Sequence, residues 1–232
     1  MIFKGREQSL PFFDYICTSF SHMNRTILYI HGMGGGADSR IPSILATALS
    51  GKAEVVVRTY DFNPEIATVQ ITSWVDEIKP VLVIGESLGA LHAMRIPDIP
   101  KLFISPALNA PLYFELIAWL TLLPGMTWIF DRIYRPKEGD RQKLHFTFGT
   151  LRKYRSHRRY ALEMASCGIR KNSFKAFFGT ADHYRKSGVV SIRTWKKYFG
   201  DSFFLYAGTH FMEEEHIYSL LIPYLCKLLK IK

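Results

Sequence analysis

Six short apolar runs, rich in Val, Ile, Leu and Phe, recur along this chain with polar or helical stretches between them. They are Thr26 to Ile30, Glu54 to Thr59, Val81 to Ile84, Lys101 to Ile104, Phe174 to Phe178 and Phe203 to Tyr206. A run that is apolar on both alternating faces suits a strand covered on both sides, and covering both sides is characteristic of parallel sheets. The intervals carry helix signals. Asn63-Pro64-Glu65 offers an N-cap, a proline at the first helical position and a first-turn acid ahead of a helix reaching Lys79. Ser187-Gly188 precedes a second helix that extends to Tyr198, and Glu213 to Lys230 opens with acids and closes with lysines, as the helix dipole favours. Strand alternating with helix predicts an α/β fold, a doubly wound, mostly parallel sheet in a single domain over 1–232. A chain of 232 residues, 48% of them apolar, is large enough to cover such a sheet.

The rhythm breaks once. Between Ser105 and Phe174 the chain is far longer than one crossover helix needs, so 109–171 reads as an insertion over the sheet, a cap or lid. Its first half, Pro111 to Phe130, is apolar and contains Trp119 and Trp128, but Glu115 and Pro124-Gly125 interrupt it well short of a membrane span. Its second half, Arg132 to Lys171, holds 12 Lys and Arg against three acids, nearly all of the chain's net charge of +10. A solvated face is the ordinary fate of such residues; an anionic substrate group or an anionic membrane surface would give them a use.

The residues with chemical meaning stand where strands end. Gly85-Glu86-Ser87-Leu88-Gly89 follows the run VLVI and precedes a helical pattern, Leu88 to Arg95. G-x-S-x-G in that setting puts serine on a sharp strand-to-helix turn, with glycines where backbones pass closely. Ile30-His31-Gly32-Met33-Gly34-Gly35-Gly36 follows the first run. Gly32, Gly34 and Ala37 also satisfy a loose dinucleotide fingerprint, but Arg58 occupies the strand end where that site needs an acid. Asp182 lies just past the fifth run and His210 just past the sixth, giving the order Ser, acid, His. His183, His216 and Asp201 compete, and Asp201 falls before its strand rather than after it.

With these motifs in this order, the sequence from about Thr26 onward resembles the α/β-hydrolase superfamily, in particular its small intracellular carboxylesterases. The resemblance implies Ser87 as nucleophile, His210 as general base and Asp182 as its orienting acid. It also implies the backbone N–H groups of Met33 and Leu88 as an oxyanion hole. Trp119 and Trp128, in the cap, become candidates for contacting the substrate. Glu86 places an acid beside the serine, and the short stretch before Thr26 implies a reduced sheet. No cofactor is expected. No metal site is expected either, since no tight ligand spacing appears, and first-turn acids account for Glu213 to His216.

The function implied is hydrolysis of a carboxylic ester through an acyl-enzyme; a thioesterase or acyltransferase would use the same residues. From another class, a non-catalytic protein that binds membranes or anions on a hydrolase scaffold would lack a triad member, and none is missing. Nucleic acid is not expected as a partner, because the aromatics of the basic stretch come without a recognition-fold signature. The oligomeric state is left open. Residues 1–20 lack the uninterrupted apolar segment of a signal peptide. The three cysteines, Cys17, Cys167 and Cys226, form no pairing pattern, so a reducing cytoplasmic setting is expected.

Overall fold

The structure is a computed structural model that describes residues 25–136, 138–167 and 174–231. The expectations for residues 1–20, for the short stretch ahead of the first strand and for Cys17 lie outside the described residues. Six strands form one sheet: β1 (Thr26–Ile30), β2 (Glu54–Val57), β3 (Leu82–Glu86), β4 (Lys101–Ile104), β5 (Phe174–Gly179) and β6 (Phe203–Tyr206). Their order is β2-β1-β3-β4-β5-β6, and every pairing is parallel. In the central register Ile84 stands beside Tyr29 on one side and Leu102 on the other.

Alternation along the strands builds a core on each face. Leu28, Ile30, Val83, Phe103, Ala176 and Phe178 point one way, and Ile27, Tyr29, Leu82, Ile84, Leu102 and Phe177 the other. The second face is closed by α1 (Arg40–Ala48) and by the C-terminal α9 (Glu214–His216), a π-helical turn (Ile217–Leu221) and α10 (Ile222–Leu229). The first is closed by α2 (Pro64–Ile78), α3 (Gly89–Met94), α6 (Phe148–Cys167) and α8 (Ile192–Phe199). Chain order turns around between β1 and β3, which opens a crevice at their C-terminal ends.

Local chemistry sets the helix ends. Asn63 Oδ1 accepts the Glu65 N–H at 3.1 Å and starts α2; Ser191 Oγ accepts the Thr194 N–H at 3.1 Å and starts α8. The expected start at Ser187-Gly188 is therefore corrected. Gly188, at φ +80°, ends a separate short helix, α7 (His183–Ser187), because its left-handed backbone terminates a helix rather than opening one.

The long connection contains α4 (Ala110–Leu120), α5 (Met126–Ile133) and α6. Gly125, at φ +81°, separates α4 from α5, and among the described residues no helix is long and apolar enough to cross a membrane. The 20-residue α6 buries Leu151, Tyr154, His157, Ala161 and Leu162 and leaves most of its arginines outside. Much of the basic sequence is thus the outer face of a helix that packs on α3 and α4.

Candidate active site

Ser87 sits directly after β3 with φ +49°, a left-handed conformation that a non-glycine residue holds only when its surroundings enforce it. Those surroundings are close-packed backbone. A Cβ on Gly89 would stand 2.3 Å from the His31 carbonyl oxygen, so only glycine lets α3 begin against the end of β1. The Ser87 N–H donates to the Ile104 carbonyl and the Ala107 N–H donates to the Ser87 carbonyl, fixing the turn to the end of β4.

Two loops deliver the partners. Past β5, Thr180 N–H donates to Tyr206 O and Ala181 N–H to Gly208 O, at 2.8 and 2.9 Å, joining the loop that carries Asp182 to the loop that carries His210. Asp182 caps α7, its Oδ1 accepting the Tyr184 N–H at 2.8 Å, and its Oδ2 stands 2.9 Å from His210 Nδ1. His210 Nε2 stands 2.9 Å from Ser87 Oγ. A carboxylate only accepts, so Nδ1 carries the proton and Nε2 is free to accept from the serine hydroxyl. Asp182 and His210 are both buried, and Tyr184 presents its ring edge to the imidazole at 4.6 Å between centroids.

Gly32 lies against the serine: a Cβ there would meet Ser87 Cβ at 3.0 Å. The next residue, Met33, and Leu88 on the other side of Ser87 donate no backbone hydrogen bond among the described residues. Gln142, a residue for which the sequence carries no local signal, holds this loop in place. Its Oε1 accepts the Gly34 N–H at 3.0 Å, its own N–H donates to Gly35 O at 2.7 Å, and its Nε2 donates to Tyr60 O at 3.1 Å. Arg40 is a second such residue, donating to the carbonyls of Phe211 and Met212 at 2.8 and 2.9 Å behind the histidine.

The competing residues fall elsewhere. His183 is exposed at the start of α7, His216 packs its ring against Tyr206 at 5.0 Å, and Asp201 is paired with Lys196 before β6 begins.

No protein-family model matches the chain, and no curated protein matches it in sequence. Solved structures do match it. A monoacylglycerol lipase from Paleococcus ferrophilus superposes with a TM-score of 0.59 at 16% identity, covering 88% of this chain and 94% of its own. Tomato methylketone synthase I matches at 0.58 and 10% identity, over 90% and 96% of the two chains. The type II thioesterase BorB of the borrelidin biosynthetic cluster matches at 0.51 and 17% identity, over 90% and 94%. The all-parallel strand order and this coverage decide the architecture. The chain has the α/β-hydrolase fold.

In this α/β-hydrolase fold a cleft of about 500 Å³ lies at the Gly32–Gly35 loop, lined by Gly32, Met33, Arg40, Glu86, Arg141 and Phe211 among others. Glu86 reads from the sequence as a charged neighbour. Burial instead raises its carboxyl pKa and favours the neutral form, while the Tyr29 hydroxyl, donating at 2.8 Å, and the neighbouring His210 and Arg40 pull the other way. Trp119 lines a separate, shallow cleft with Leu112, Tyr113 and Leu116, and Trp128 lies out on α5 with Arg132 stacked on its ring.

Proposed function

We propose that this protein is a serine hydrolase that cleaves carboxylic esters through an acyl-enzyme. The observation that carries the reading is the unbroken relay from Ser87 Oγ to His210 Nε2 and from His210 Nδ1 to Asp182, at 2.9 Å each, with the serine on a strained turn. In the first half-reaction Ser87 Oγ bonds to the ester carbonyl carbon while His210 takes the hydroxyl proton and Asp182 stabilises the imidazolium. The carbonyl oxygen gains charge, which in this reading the N–H groups of Met33 and Leu88 stabilise. As the alkoxy C–O bond breaks, His210 passes the proton to the departing alcohol. Water then repeats the sequence on the acyl-serine and releases the acid.

The α4–α5 hairpin serves in this reading as a cap, with Trp119 and Trp128 contacting the acyl chain. An acylglycerol-type ester fits the likeness to the monoacylglycerol lipase, and a thioester, the bond named in the BorB match, is open to the same residues.

A panel of p-nitrophenyl esters and acyl thioesters, run with a fluorophosphonate probe, tests the proposal. Ser87→Ala is expected to lose on the order of 10⁴ in turnover and all probe labelling while its melting curve stays in place. Labelling at Ser105, or unchanged turnover, would exclude the assignment.

A further inference from the structure

Helix α5 has no buried residue. An amphipathic helix normally turns its apolar stripe inward, yet Trp128 and Ile133 on α5 are 64% and 66% exposed. They are part of a concentration: of the 22 large apolar side chains that are exposed among the described residues, 11 fall between Leu112 and Tyr134. Scattered surface apolar residues need no explanation, whereas half of them gathered on one hairpin mark a surface that something covers. Leu122 and Leu123, at the turn between α4 and α5, are both more than half exposed.

Cations border this patch. The Arg132 guanidinium lies 5.4 Å from the Trp128 ring, and that of Arg152 lies 5.8 Å from Trp119. On the exposed side of α6, Arg152, Lys153, Arg155, Arg158 and Arg159 line a cleft of about 630 Å³ that shares Leu112 with the apolar cleft of α4. Glu65 and Glu115 neutralise Lys153 and Arg155. Arg132, Arg152, Arg158 and Arg159 form no ion pair among the described residues.

We propose that this face docks on an anionic phospholipid bilayer, with Leu122 and Leu123 entering the acyl region and Arg132, Arg152 and Arg159 at headgroup level. Charge selects that occupant. A second copy of the chain would bring a net charge of +10 and the same cationic rim against this one, whereas an anionic leaflet supplies the opposite sign. Tryptophans beside arginines with long apolar stems suit the depth at which a bilayer changes from hydrocarbon to headgroup. Because α4 departs from the C-terminal end of β4, the docked face lies at the end of the sheet that carries Ser87 and His210. The inference rests on the surface alone and stands whatever bond the site cleaves.

Sedimentation of the full chain with vesicles tests it, comparing pure phosphatidylcholine with a mixture containing about 30% phosphatidylserine. The wild type is expected to partition onto the anionic vesicles on the order of a hundredfold more strongly, and to lose that advantage as NaCl rises from about 100 to about 500 mM. Leu122→Asp with Leu123→Asp should abolish partitioning. Arg152→Glu with Arg159→Glu should remove the anionic preference, each cation near the surface being worth about fivefold. All four side chains are exposed, so melting curves and turnover of a soluble acetate ester serve as checks that the fold and site are intact. Equal partitioning onto neutral and anionic vesicles, or binding that survives both pairs of changes, would overturn the proposal. So would a solution dimer that the Leu122 and Leu123 changes disperse, which would make the face an interface between copies.

Discussion

Asp182 spends both carboxylate oxygens, one on the Tyr184 N–H and one on His210 Nδ1. Changing it to Asn keeps the shape and the helix cap but puts an amide where the imidazole N–H needs an acceptor, favouring the wrong tautomer at Nε2. Asp182→Asn is therefore expected to reduce ester turnover by on the order of 10⁴ while substrate binding and melting temperature change little. Asp201→Asn, at the other end of the sheet and paired with Lys196, should leave turnover alone and serves as the control. Steady-state kinetics on the two variants decide the matter: damage from Asp201→Asn with Asp182→Asn active would reverse the assignment. Glu86 shows why residue identity needs a structural setting. Its carboxyl is next to the serine in sequence, but burial and the Tyr29 hydroxyl make it a hydrogen-bonded group of the sheet as much as a charge in the cleft.

Among the elements, the α4–α5 hairpin carries the substrate-length question. Trp119 lines an apolar cleft with Leu112, Tyr113 and Leu116, so Trp119→Ala should reduce kcat/KM for long-chain esters more than for acetates, the gap growing by at most about 0.8 kcal/mol per methylene that loses its contact. Trp128→Ala, on the outer helix, should widen the gap less; equal losses at every chain length would leave both residues as fold supports only. How the sequence marks its elements explains what it revealed. The strands were legible because residues such as Ile27 and Leu28 are apolar on both faces, and Asp182 and His210 because each directly follows one. Helix α1 was not, since Pro42 looks like a breaker although the first turn of a helix has no use for its missing N–H. The start of α8 was displaced because Gly188 and Ser191, three residues apart, both resemble helix boundaries. Gln142 was invisible for a different reason: it holds Gly34 and Gly35 across more than a hundred residues of chain, and no local pattern encodes such a contact.

Across the whole molecule, a column of rings ties the site loop to the outer helix layer. His31 stacks on Tyr60 at 4.4 Å, Tyr60 meets His92 edge-on at 4.9 Å, and His92 lies 4.5 Å from His157 on α6. Arg95 donates to His157 Nδ1 at 2.9 Å, which keeps that nitrogen unprotonated. Burial holds all three histidines neutral: His31 is lowered from 6.5 to about 4, His157 to about 3 with the Arg95 charge adding to burial, and His92 well below its ordinary value. The consequence for stability follows from proton counting. Below about pH 6.5 the unfolded chain binds protons at these rings and the folded chain does not, so their contribution is complete above that pH and is lost as pH falls toward the folded values. Glu86 acts with the opposite sign, because its raised pKa lets the folded state bind a proton sooner, and it offsets part of that loss. The net expectation is a loss of at most about 4 kcal/mol per pH unit below about pH 6, one proton for each ring before the Glu86 offset, above the range where surface carboxylates titrate. Urea unfolding between about pH 7.5 and 5 measures this, and His157→Gln should flatten the curve by one histidine's share. A midpoint that does not move over that interval would mean the rings take up protons without unfolding, and the column would then not couple the Gly32–Gly35 loop to α6.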